Sequence, residues 1–248
     1  MTDTTPFPIA PAPFSGESRN VDPGAVFDWL RQGWAIFMAH PAIWLGSAVL
    51  MVVMLLAISI VPLFGQLAVN MLLPMFAAGL LQICRTQSEE RDPQIGDLFA
   101  GFRHNAGALV TVGLLYTAGI FGAAVIGFLL VSGGVLGGVV TGRVAGFGIA
   151  LGGMMLAGLL VLLISLPIIM ATWFAPALVY FHDMKPIPAM KASFAAGMKN
   201  WLAMAVFGTL LMVAMFFALL PLAIGMLLLL PVFSGAAYAS YKDIFVGA

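Results

Sequence analysis

The sequence predicts an all-α polytopic membrane protein: six transmembrane helices in three pseudo-repeats, each an interfacial helix followed by a helical hairpin. Three observations predict it. The chain is 62% hydrophobic and 8% charged over 248 residues, and its mean hydropathy of +1.09 lies outside the soluble range. Apolar runs recur at the length, about twenty helical residues, that spans a hydrocarbon core. The ten Lys and Arg cluster between alternate runs.

The runs are 42–63, 67–83, 106–131, 144–181, 201–220 and 222–239. Strict alternation of apolar and polar residues is absent, which argues against a lipid-facing β-barrel. Residues 1–21 are rich in Pro, Ser and Thr and have no apolar core. They read as a disordered cytoplasmic tail, not a signal peptide, so the first span directs insertion. A single cysteine, Cys84, leaves no internal disulfide and no multi-cysteine metal site. Zero net charge without a long basic run argues against a nucleic-acid partner.

Orientation follows from the basic residues. Arg19 and Arg31 precede the first run; Arg85, Arg91 and Arg103 separate the second and third. Lys185, Lys191 and Lys199 separate the fourth and fifth, and Lys242 follows the sixth. Only Arg143 falls on the other side, so nine of the ten lie together. By the positive-inside rule both termini are expected in the cytoplasm.

The repeat has two markers. Aligned on a glycine, WLRQGWAIF (29–37), DLFAGFRHN (97–105) and SFAAGMKNW (193–201) each carry Gly33, Gly101 or Gly197 followed by a large apolar residue. Prolines precede each. Leu-Pro pairs then end at Pro74, Pro167 and Pro231, inside the second, fourth and sixth runs. Pro74 to Pro93 and Pro167 to Pro186 are both nineteen residues. Two markers in the same order predict repeats at about 22–91, 92–184 and 185–248 within a membrane domain of 22–248.

Each glycine segment reads as a short helix lying in the interface. Met190, Phe194, Met198 and Trp201 form an apolar stripe, with Lys191 and Lys199 on another face; Val26, Leu30, Trp34 and Phe37 form the same stripe in the first repeat. Arg85, Arg103, Lys191 and Lys199 are therefore candidates for lipid-headgroup contact. Trp29, Trp34, Trp44, Trp201, Tyr180, Tyr238 and Tyr241 read as an aromatic belt at that interface.

Glycine to Leu-Pro spacing is 41 residues in the first repeat, 34 in the third and 66 in the second. The surplus sits in the glycine-rich stretch 131–155, open to three readings: an extended hairpin, a re-entrant loop or a seventh span. A seventh span would move Lys185, Lys191 and Lys199 across the membrane. Gly134, Gly138, Gly142 and Gly146 repeat at four-residue spacing, which permits close helix approach. With Arg143 they are candidates for contact with a partner, the alternative being packing inside the hairpin itself.

Chemistry is sparse. No Asp, Glu, Lys, Arg or His lies within the predicted spans as bounded by these markers, where proton relays and ion pathways need them. His40, His104 and His182 lie at the cytoplasmic edge and far apart in sequence, and the glycine run lacks a phosphate-loop ending. No catalytic residue, metal ligand or cofactor site is expected.

WFAPALVYFHDMKPIPAMKASFAAGMKNWLAM (173–204) and the closing ASYKDIF resemble a family of uncharacterised inner-membrane proteins of Gram-negative bacteria. More distantly, the pattern of proline then interfacial helix is similar to the membrane domain attached to some glycerophosphodiester phosphodiesterases. The resemblance implies six spans in a bacterial inner membrane and carries over no catalytic residue. The expected function is a non-enzymatic scaffold or accessory subunit. It would bind lipid and another membrane protein, or a second copy of itself. The alternative is a carrier for a hydrophobic or lipidic substrate.

Overall fold

The computed structural model describes residues 14, 16–62, 64–141, 144–220 and 224–247, except for the side chains of 144–147. Among them the chain is helical, with no strand. In order come α1 (Ala25–Ala39), α2 (Pro41–Ser59), α3 (Phe64–Ser88), a 3₁₀ turn (Ile95–Phe99) and α4 (Ala100–Arg103). Then follow α5 (Ala106–Thr141), α6 (Val144–Trp173), α7 (Ala175–His182), α8 (Pro186–Lys199), α9 (Trp201–Leu219), α10 (Gly225–Tyr241) and a closing π turn (Lys242–Val246).

Five helical stretches are long and apolar enough to cross a membrane: Pro41–Ser59, Phe64–Ser88, Ala106–Thr141, Gly148–His182 and Trp201–Leu219. The sixth run forms α10, whose 17 described residues make it shorter than these. Helices α3, α6 and α10 each run on through their internal proline, Pro74, Pro167 or Pro231. Apolar side chains surround α2, α5, α6 and α9 on all sides, which suits contact with lipid.

Burial concentrates at the end that carries the basic and acidic side chains. Trp29, Trp44, Phe76, Ile83, Leu98, Leu109, Leu178 and Ile244 are fully buried there. Toward the far end the helices present bare apolar side chains, such as Leu56, Ile60, Met212 and Phe216. The core is therefore a plug at one end of the bundle, held by aromatic contacts. Phe207 lies edge-on to both Trp29 (5.9 Å between ring centroids) and Trp173 (5.7 Å), and stacks on Phe233 at 5.4 Å.

The glycine segments pack closely on proline-bearing helices, Gly33 and Gly101 against backbone and Gly197 against a side chain. A Cβ on Gly33 would overlap the Val232 carbonyl oxygen and stand 2.7 Å from the Ala236 nitrogen on α10. One on Gly101 would overlap the Met75 carbonyl and stand 2.9 Å from its Cα on α3. One on Gly197 would meet the Met170 side chain on α6 at 2.9 Å. Real Cβ atoms do not approach backbone so closely, and only glycine removes the obstacle.

These contacts revise two readings. In α1 the buried face is Val26, Trp29, Gly33 and Phe37, while Trp34 and Met38 point outward with Phe27. The stripe Val26, Leu30, Trp34, Phe37 is thus split between core and surface, because Gly33 has to face α10. Of the second stripe, Phe194 and Met198 on α8 and Trp201 at the start of α9 are exposed, Met190 is half-buried against the core, and the small residues Ala189, Ser193, Ala196 and Gly197 of α8 face inward. The aromatic belt is also revised. Trp29, Trp44, Tyr238 and Tyr241 are core residues, and Trp34 and Trp201 are the exposed members.

Between α6 and α7 the helix is spliced by a side chain. The Phe174 amide donates to Ser193 Oγ (3.0 Å), and that hydroxyl donates to the Met170 carbonyl (2.6 Å). Ser193 thereby replaces the one hydrogen bond that Phe174 and Met170 would make in an unbroken helix. The bend so produced turns α7 toward α3 and α10.

Residues 131–141 continue α5 and 144–155 open α6, so the glycine-rich stretch belongs to an extended helical hairpin. The 36 residues of α5 measure about 54 Å at 1.5 Å per residue, well beyond a hydrocarbon core of about 30 Å.

Candidate functional site

At the charged end α3, α7 and α10 finish side by side, and their last turns supply a polar cluster. Arg85 Nε donates to Glu89 Oε1 at 2.9 Å, and its guanidinium lies over the Phe181 ring, 5.3 Å from the centroid. Glu89 also accepts from Arg91. The hydrogen bond from Arg85, then that from Arg91, holds the Glu89 carboxyl below the usual carboxylate range. The Ser88 and Tyr238 hydroxyls are 3.0 Å apart, and His182 Nε2 is 2.5 Å from the Tyr241 hydroxyl. Arg85, Phe181, His182, Tyr238, Tyr241 and Lys242 line a cavity of about 210 Å³ between the helix ends.

Beside it, the start of α5 is tied to the end of α7. Asp183 caps α7 with left-handed backbone (φ 53°) and accepts from Asn105 Nδ2 (2.6 Å) and His104 Nε2 (2.9 Å). Asn105, also left-handed at φ 58°, donates to the Val179 carbonyl at 3.0 Å. The Asn105 hydrogen bond, with His104 contributing less, holds the Asp183 carboxyl below the usual carboxylate range. The neighbouring His182 and Asp183 side chains point to different partners, His182 to Tyr241 and Asp183 to Asn105 and His104.

The N-terminal segment closes over this end. Val21 N donates to Asn200 Oδ1 (2.8 Å), Asn200 Nδ2 to the Arg19 carbonyl (3.0 Å), and Arg19 N to the Ile244 carbonyl (2.8 Å). Asp243 pairs with Arg19 and accepts from Trp29 Nε1 at 2.8 Å. Phe14 stacks on His182 at 3.6 Å between centroids. The stretch 16–21, read from composition as part of a disordered tail, is held against the bundle by these bonds. Low hydrophobicity did not register a segment ordered through its backbone. Residues 1–13 lie outside the described residues.

The headgroup candidates separate. Arg85 belongs to the cavity. Arg103 is exposed at the end of α4, and Lys199 donates to the Ser18 carbonyl. Lys191 is exposed at the rim of a groove of about 450 Å³ lined by Leu115, Pro167, Ile168, Met190 and Phe194. It makes no salt bridge among the described residues.

The partner candidates separate too. Gly134 is taken up inside the hairpin, where a Cβ would stand 3.0 Å from the Gly153 Cα across the seam, and Gly138 is buried. These two small residues serve the hairpin's own packing, which corrects their reading as an outer contact surface. Gly142 and Arg143 lie outside the described residues, and Gly146 lies in the first turn of α6. What the hairpin shows outward is Leu136, Val139, Val140 and Met155. Among the described residues no three His, Cys, Asp or Glu side chains are grouped to hold a metal.

These features define a polytopic α-helical membrane protein with a polar cluster at its charged end. The chain is similar to a probable inner membrane protein of Burkholderia thailandensis, 28% identical over 219 residues that cover 85% of this chain and 79% of the relative. No family model matches the chain. No solved structure matches it either.

Proposed function

We propose that the chain is a six-span protein of the bacterial inner membrane, both termini cytoplasmic, that acts as a non-enzymatic scaffold or accessory subunit. It binds membrane lipids and a membrane-protein partner or a second copy of itself, and it needs no cofactor. The name of the B. thailandensis relative supports the location, and the nine-to-one placement of Lys and Arg supports the orientation. The sixth span is α10, whose 17 residues cover about 26 Å before its flanking residues are counted. The glycine contacts support a pseudo-threefold ring. Each glycine meets the segment just after the proline of the repeat before it, and Gly33 of the first meets Val232 of the third.

The observation that carries the scaffold reading is the α5–α6 hairpin. It outruns the bilayer, and its extension shows Val139 at 72% and Val140 at 85% exposure. An apolar face held beyond the hydrocarbon is costly unless another surface covers it. The test is mild-detergent purification with mass spectrometry, comparing wild type with Val139→Glu/Val140→Glu. Loss of a partner with unchanged thermal stability supports the scaffold; a partner set that is the same in both forms contradicts it.

A carrier has one observation in its favour, a cavity of about 390 Å³ between α3, α5 and α6 lined by Asn70, Pro74, Tyr116, Thr172 and Trp173. Ala77 also lines it, and Ala77→Phe would fill it. Under the scaffold reading partner capture survives that change.

A further inference from the structure

We propose that the cavity between the ends of α3, α7 and α10 is a binding site for a phosphate group. Its lining brings two cations, Arg85 and Lys242, together with His182 and the Tyr238 and Tyr241 hydroxyls, on three helices far apart in sequence. The volume, about 210 Å³, suits one tetrahedral anion with its immediate substituent and is small for a drug-sized molecule.

Charge and geometry agree. Arg85 is half satisfied: one edge of its guanidinium serves Glu89, and Phe181 covers a face, which fixes the plane and leaves other N–H groups for an acceptor. Lys242 is half-buried and makes no salt bridge among the described residues, so it supplies charge the fold does not consume. Tyr241 faces His182 at 2.5 Å, and both residues line the cavity. Glu89, the carboxylate bonded to Arg85, is engaged by Arg85 and Arg91, Asp183 is engaged by Asn105 and His104, and neither lines the cavity. Phe14 stacks on His182, which fixes the plane of that imidazole.

The phosphate has two possible sources, a phospholipid headgroup from the adjacent leaflet or a soluble phosphate. Neither depends on the scaffold reading, and failure here leaves that reading untouched. The experiment titrates the full-length protein in neutral detergent with inorganic phosphate and, separately, with short-chain phosphatidic acid, at constant ionic strength, following the thermal midpoint. Saturable stabilisation is expected. Arg85→Gln and Lys242→Gln should each weaken it about tenfold or more, the equivalent of one hydrogen bond to a charged group, while Arg31→Gln, at an exposed position on α1 outside the cavity, leaves it unchanged. If Arg85→Gln fails to fold, Lys242→Gln alone decides. Tighter binding of phosphatidic acid than of phosphate assigns the lipid source; equal binding assigns the soluble anion. Absence of saturable stabilisation, or full retention of it in Lys242→Gln, overturns the proposal.

Discussion

Gly33 on α1 and Val232 on α10 meet backbone to backbone, so closely that a single methyl group on Gly33 has no room. The contact joins α1, the first helix among the described residues, to α10, near the other end of the chain. It places Gly33 one residue past Pro231, as Gly101 lies beside Met75, one residue past Pro74.

The first prediction follows from that packing. Gly33→Ala and Gly101→Ala each force backbone apart and should destabilise by about 1–3 kcal/mol or more. Gly197→Ala should cost less, because the obstacle is the flexible end of Met170. Gly208→Ala, in open space on α9, should be neutral or stabilising by up to about 1 kcal/mol. Thermal unfolding of the four variants in one detergent gives the ranking. Equal effects at all four positions would refute the packing account.

The second concerns Ser193. Ser193→Ala strands the Phe174 amide and the Met170 carbonyl in a buried setting, a loss of about 1–3 kcal/mol. Because the serine sets the bend, α7 should loosen first. Hydrogen exchange at 174–182 should rise before exchange in α3 does; unchanged exchange there would mean that the bend is held by something else.

The third is a pH effect. Asp183 has a folded-state pKa depressed first by Asn105 and then by His104. A depressed carboxylate contributes stability that is present above its unfolded pKa, about 3.9, and is lost as pH falls through the lower folded value. The wild type should therefore lose thermal stability as the pH drops below about 4, and Asp183→Asn should lose less over the same interval. Identical pH curves would remove Asp183 from the account.

The fourth concerns lipid. Lys191 is exposed beside an apolar groove, whereas Lys199 is engaged by the Ser18 carbonyl. Lys191→Gln should reduce co-purified anionic phospholipid more than Lys199→Gln does, the scale being roughly 1 kcal/mol per lysine near an anionic surface. The reverse order would show that the groove plays no part.

Much of the fold was legible because lipid imposes a simple code. Five of the six apolar runs became helices of spanning length, and Pro74, Pro167 and Pro231 marked real helices. The glycine markers were readable as positions, but not as contacts: nothing local says that Gly33 faces α10, so the inward turn of Trp29 was missed. The cavity was illegible for the same reason. Arg85 and Lys242 meet only once three helix ends converge, and each alone resembles an interfacial anchor. The docking of residues 16–21 rests on Asn200, Asp243 and main-chain groups, which composition does not report.

The measurement that tests the central claim most directly is site-specific labelling with a membrane-impermeant thiol reagent. It uses intact cells and single cysteines at Ile60, Lys191 and Lys242 in a Cys84→Ala background. A six-span bundle closed by α10, with both ends inside, predicts that Ile60→Cys labels from outside. Lys191→Cys and Lys242→Cys should label only after permeabilisation. Outside labelling at either 191 or 242 would contradict it.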